Sequence, residues 1–141
     1  MSRPARPEDV DEICGSLPET ELGTSWGDRP TWKTPRGDKG KGFCLYRMPH
    51  HTAVDPQTGE PYDDVLVVQM PSMADKHALV ADETNPFFDI DHFRNHAGVL
   101  VRLSRLGEIS VDELREVLVE AWAHRAPKKV VSAFFAEEGQ A

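Results

Sequence analysis

Apolar positions recur along this chain with two different periods, and the points where the period changes mark out the elements. Val10, Ile13, Cys14 and Leu17 fall at i, i+3, i+4 and i+7, which is one buried stripe of a helix. Pro7 is suited to open it because a first helical residue needs no N–H donor, Glu8 and Asp9 complement the helix dipole, and Pro18 ends it. A polar connection over 19–24 follows. Two aromatic-bearing runs near 31–34 and 42–48 then flank a turn rich in Gly, Lys and Arg, the pattern of a β-hairpin. Alternation along the second run sets Phe43 and Leu45 on one face and Cys44, Tyr46 and Met48 on the other.

Residues 49–64 contain His-His, Asp-Pro and Thr-Gly-Glu-Pro with almost nothing to bury, which predicts a long surface loop. The run 65–70 is short and β-branched and reads as a central strand. Ser72 with Asp75 three residues on starts a helix through Leu79 and Val80, stopped at Asn85-Pro86. Strands are expected at 87–90 and 99–103. Ser110 and Glu113 form a capping box for the last helix, and Val111, Leu114, Val117, Leu118, Ala121 and Trp122 share one face of it. Pro127 ends or kinks that helix, ahead of Lys128, Lys129 and an apolar tail. The order is helix, three strands, helix, two strands, helix: an α+β single domain (α-β3-α-β2-α) with a mainly antiparallel sheet, its core over about 8–129 and a tail at 130–141.

Composition adds limits to this picture. With 141 residues, 39% hydrophobic and 28% charged, the chain has the size and make-up of one ordinary globular domain. Its N-terminus passes straight into acidic residues, and no apolar run approaches bilayer length, so a cytoplasmic protein without a membrane partner is expected. Cys14 and Cys44, on a helix and a strand, read as reduced core residues. Charge is unevenly placed. The chain carries −8 overall, yet from Asp28 to Arg47 six basic residues stand against two acidic ones, leaving ten against twenty-two elsewhere. General attraction to nucleic acid is thereby opposed, and any such binding must be local.

Motifs for chemistry are sparse. Asp89, Asp91, His92 and His96, with His50 and His51, contain the residue types of a metal site without its spacing. His92, between Phe88, Ile90 and Phe93, reads as a structural histidine, and Cys44 in an apolar strand reads as inert rather than nucleophilic. The run Arg36-Gly37-Asp38-Lys39-Gly40-Lys41-Gly42 lacks the strand and following helix of a phosphate-binding glycine loop. No catalytic residues, metal or cofactor are expected.

A set of short pieces spread over the chain carries a resemblance: Leu17-Pro18, Thr24-Ser25-Trp26-Gly27, Trp32-Lys33, Lys41-Gly42-Phe43, the 63–70 strand, Phe87-Phe88, His92-Phe93, 99–103, Ala121-Trp122 and Ala126-Pro127-Lys128. Together, from about Val10 to Lys129, they resemble the MmcQ/YjbR-like family. The loop over 49–64 is longer than that family leads one to expect. The resemblance implies a fold similar to type III secretion chaperones and a DNA-binding, double-wing arrangement, and it brings no catalytic residue set. The expected function is a non-catalytic DNA- or nucleic-acid-binding module. Lys33, Arg36, Lys39 and Lys41 of the hairpin would contact phosphates, with Arg125, Lys128 and Lys129 as a second patch and Trp32 or Tyr46 stacking on bases if exposed. The alternative is a non-catalytic protein-interaction or small-ligand module. It would use apolar strand faces and the Phe134-Phe135 tail against a protein partner or a second copy.

Overall fold

The computed structural model describes residues 3–25 and 29–140. Helix α1 spans Pro7–Ser16 and buries Val10, Ile13 and Cys14. Its first turn is tied down by Asp9, whose carboxylate accepts the Arg6 N–H at 2.8 Å and two bonds from the Arg3 guanidinium at 2.6 and 2.8 Å.

Among the described residues, five strands form one sheet in which spatial order equals chain order and every neighbouring pair is antiparallel: β1 (Glu21–Ser25), β2 (Arg29–Thr34), β3 (Lys41–Tyr46), β4 (Val65–Gln69) and β5 (Gly98–Arg102). Helix α2 (Met73–Ala81) lies between β4 and β5 in the chain, and α3 (Val111–Arg125) and α4 (Lys128–Gln140) follow the sheet. The α+β antiparallel architecture expected from the pattern is therefore present. Among the described residues, no helix is long and apolar enough to cross a membrane.

Both faces of the sheet are covered. On one, Phe43, Cys44, Leu66, Val68, Val99 and Val101 pack with α1 and α3 into the larger core, which includes the fully buried Leu114, Leu118 and Trp122. On the other, Leu45, Val65, Val67 and Leu100 pack with Phe93 beneath Tyr62, Phe88 and Ile90. Strands buried on both faces read as continuous apolar runs, which is why 65–68 shows no alternation.

Several expectations are corrected. Residues 21–24, read as part of a polar connection over 19–24, belong to edge strand β1; its one large apolar residue, Leu22, is 53% exposed, so backbone pairing with β2 rather than burial defines it. The run 87–90 is not a strand. It makes a single bridge, Phe88 to Leu100, and leads into the 3-10 turn Asp91–Phe93. Phe43 and Cys44 share the helix-side core instead of opposing faces, because the β2–β3 register shifts at Trp32/Lys33 and leaves Phe43 as a bulge. The loop over 49–64 does bury something: Ala53 is buried and Tyr62 packs on the second core. The tail beyond Pro127 is helix α4, and Val130, Val131 and Phe134 pack against the larger core. Trp26 and Gly27, named for the family resemblance, and Asp28 at the start of the basic stretch lie outside the described residues.

Candidate anion-binding groove

The β2–β3 turn is shaped by glycine. Gly37 has φ +94, and a Cβ on Gly40 would lie 2.5 Å from the Pro35 carbonyl oxygen, so the turn closes tightly and projects its lysines outward. Lys39 and Lys41 thereby face the C-terminal end of α3. Together with Thr34, Pro35, His124 and Arg125 they line a cleft of about 310 Å³. Arg125 also lines a second cleft, of about 610 Å³, with Gln69, Ser72, Asn95, His96 and His92. His92 in turn lines a third, of about 300 Å³, with Arg29, Arg47, Met48 and His50. The three clefts thus adjoin through Arg125 and His92. Lys41 and Arg47 bracket β3, roughly 20 Å apart at ~3.3 Å per residue.

Charge distribution sets this surface apart. In a chain with a net charge of −8, no Asp or Glu among the described residues lines any of the three clefts. The ion pairs among the described residues are Arg3–Asp9, Lys76–Asp89, Arg102–Asp64, Arg105–Glu108 and Arg115–Glu138, and none uses a cation of the groove. Arg125 Nε is buried without a hydrogen-bond partner among the described residues. Arg47 is buried, and loss of solvent lowers the pKa of its guanidinium below the ordinary value. Desolvation, together with the nearby His51, Arg47 and His92, likewise holds His50 below the ordinary histidine range.

The groove's middle is held in place by Lys76. Its side chain is 0% exposed, and its ammonium donates to Phe93 O at 2.7 Å and His96 O at 2.6 Å and pairs with Asp89 Oδ1 at 2.9 Å. All three N–H donors are therefore used. This tether from α2 fixes the segment that carries His92, Asn95 and His96 under the sheet.

Of the residues expected from the sequence, the structure brings Lys39, Lys41 and Arg125 into one cleft. Lys33 is half-buried, its stem crossing Gly23 of β1. Arg36 donates from Nε to Thr20 O at 3.0 Å. Lys128 and Lys129 are exposed in the first turn of α4, and neither lines the three clefts. Trp32 and Tyr46 do not offer stacking surfaces beside them: Trp32 Nε1 and Tyr46 OH both donate to Asp11 Oδ1 at 2.8 Å, on the α1 side of the sheet. Cys44 is buried beside Cys14, and that contact, with burial, pushes its thiol pKa up. Asp89 is engaged by Lys76, and among the described residues no group of three or more His, Cys, Asp or Glu is placed to hold a metal ion.

His124, Arg47, Arg29, Gln69 and Asn95 were not singled out from the sequence. One signal for Arg47 was legible, since it continues the alternation of Leu45 and so takes an inward position just past the end of β3. The others are assembled by the approach of α3, β4 and the 91–97 segment, which no local pattern encodes.

Comparison with known proteins places the chain among relatives of similar length. Residues 15–124 match the family model described as YjbR. An uncharacterized protein of Mycobacterium tuberculosis and one of Mycobacterium bovis are each 42% identical over 132 residues, covering 94% of this chain and 97% of theirs. The crystal structure of a Deinococcus radiodurans protein with a DUF419 domain superposes with a TM-score of 0.50 at 16% identity, covering 83% of this chain and 75% of that one. That likeness concerns the fold.

Proposed function

The chain belongs to the YjbR family, and we propose that it is a non-catalytic nucleic-acid-binding module that holds a phosphate backbone along the groove running from Lys39, Lys41 and Arg125 to His92. The observation that carries this reading is the run of three adjoining clefts whose charged lining, among the described residues, is basic without a carboxylate, on a protein whose net charge is −8. Lysine and arginine placed along a groove displace the counterions condensed on a phosphate backbone, while the acidic remainder confines contact to that groove. Gln69, Ser72 and Asn95 supply neutral donors between the cationic ends. With the hairpin aromatics turned toward α1, recognition rests on backbone contacts and is tolerant of base sequence.

Fluorescence anisotropy with labelled single-stranded and duplex DNA of equal length, at low salt, tests the reading. Saturable binding is expected at micromolar protein. Lys39→Glu with Lys41→Glu should weaken it at least tenfold, with the melting temperature nearly unchanged because exposed turn charges contribute little to stability. Binding indifferent to the double reversal, or no saturable binding, would overturn it in favour of a protein-interaction module.

A further inference from the structure

We propose that the cleft between the end of β3 and the Asp91–Phe93 turn is a pocket for a phosphate monoester, held by Arg29, Arg47, His50 and His92. As the phosphorylated end of a strand, this ligand rests on the nucleic-acid reading above; as a small phosphorylated molecule, it stands independently of that reading.

Arg47 is 5% exposed and makes no ion pair among the described residues. Its Nη2 donates to Thr52 Oγ1 at 2.6 Å, and its guanidinium lies 5.3 Å from the centre of the Phe93 ring. A charge withdrawn from water calls for a counterion or a full set of hydrogen bonds, and this one has neither among the described residues. Arg29 donates from Nε to Tyr46 O at 3.1 Å, which orients its guanidinium into the same cleft with further donors to spare. The Arg102 and Arg105 cleft nearby provides an internal contrast, since each of those guanidinium groups has its own carboxylate, Asp64 and Glu108.

A hydrogen-bond relay prepares the histidine. Thr52 Oγ1 accepts from Arg47 and lies 2.9 Å from His50 Nδ1, and the Thr52 N–H reaches the same nitrogen at 3.3 Å. Nδ1 is therefore the acceptor, and neutral His50 carries its proton on Nε2, where it can be donated to a ligand. Guanidinium forks match phosphate oxygens. Two fixed positive charges in about 300 Å³ exceed what the single charge of a phosphodiester neutralises. They match a monoester, which is mostly dianionic above its second pKa of about 6.

The test combines thermal shift with anisotropy at pH 7.5 and matched ionic strength. Inorganic phosphate and AMP should raise the melting temperature, whereas adenosine and 3′,5′-cyclic AMP, a diester, should not. A strand with a terminal 5′- or 3′-phosphate should bind at least tenfold more tightly than its hydroxyl-ended twin. Arg47→Met should abolish both effects; should it fail to fold, Arg29→Gln with His50→Ala removes two ligands from the rim and must do the same. If the small monoesters leave the melting temperature unmoved and both strand ends bind alike, the pocket assignment falls while the groove reading stands. If AMP and cyclic AMP act equally, the monoester assignment is wrong. Stabilisation by AMP without oligonucleotide binding would keep the pocket and overturn the groove.

Discussion

Trp122 and Asp9 show how single side chains tie this fold together. The Trp122 ring is fully buried, packs edge-on to Phe134 with centroids 4.9 Å apart, and donates from Nε1 to Pro18 O at 2.9 Å. Trp122→Ala should therefore cost roughly 3–5 kcal/mol, lowering the melting temperature by about 10 °C for a chain of this size; a calorimetric scan checks it. Asp9 is the acid-sensitive point. Its bond to Arg3 holds the folded carboxyl below the ordinary value of 3.8, so the unfolded chain binds the proton more readily. The stabilisation is complete above the unfolded pKa and is lost as pH falls through the folded one. Asp9→Asn should accordingly flatten the acid limb of stability below about pH 5, seen as urea midpoints that converge with wild type at low pH.

At the scale of elements, the covering segment over 86–97 depends on α2 through one ammonium. Lys76→Met should destabilise by roughly 3–5 kcal/mol, nearer the lower figure because Asp89 retains some access to water. Adding Asp89→Asn should recover part of that loss, as a double-mutant cycle in urea would show. Elements with their own periodicity and caps were legible in the sequence, as α3 is, where Ser110 and Glu113 exchange capping bonds of 3.1 and 3.2 Å. Strand β1 was not, because an edge strand paired through its backbone needs no apolar pattern. Helix α4 was hidden by Pro127, which stops α3 and also starts the next helix: Ala126 is extended, and Val131 N–H donates to Pro127 O at 3.0 Å.

For the whole molecule, the decisive feature is the separation of charge. Carboxylates pair with Arg3, Arg102, Arg105 and Arg115 outside the groove, and among the described residues none lines the groove itself. Neutralising about four to six phosphates there predicts a log–log slope of affinity against salt on the order of −3 to −6. Lys128→Glu with Lys129→Glu, outside the clefts, should change that slope by less than Lys39→Glu with Lys41→Glu. A salt titration of both variants decides whether the groove, rather than total charge, carries the contact.

The sequence by itself determined the helices with a sustained stripe, the hairpin of β2 and β3, the buried central strand β4, the antiparallel α+β class and the concentration of positive charge before Arg47. Those properties are local, set by period, capping and turn chemistry within a few residues of one another. Only the tertiary structure decided that Lys39 and Lys41 meet Arg125, that His92 lies beside Arg47 and His50, and that Trp32 and Tyr46 turn away to Asp11. The physical reason is that each of these meetings joins positions far apart in the chain. The β2–β3 bulge, the Lys76 tether and the packing of α3 on the sheet select among arrangements that the local pattern leaves equally available.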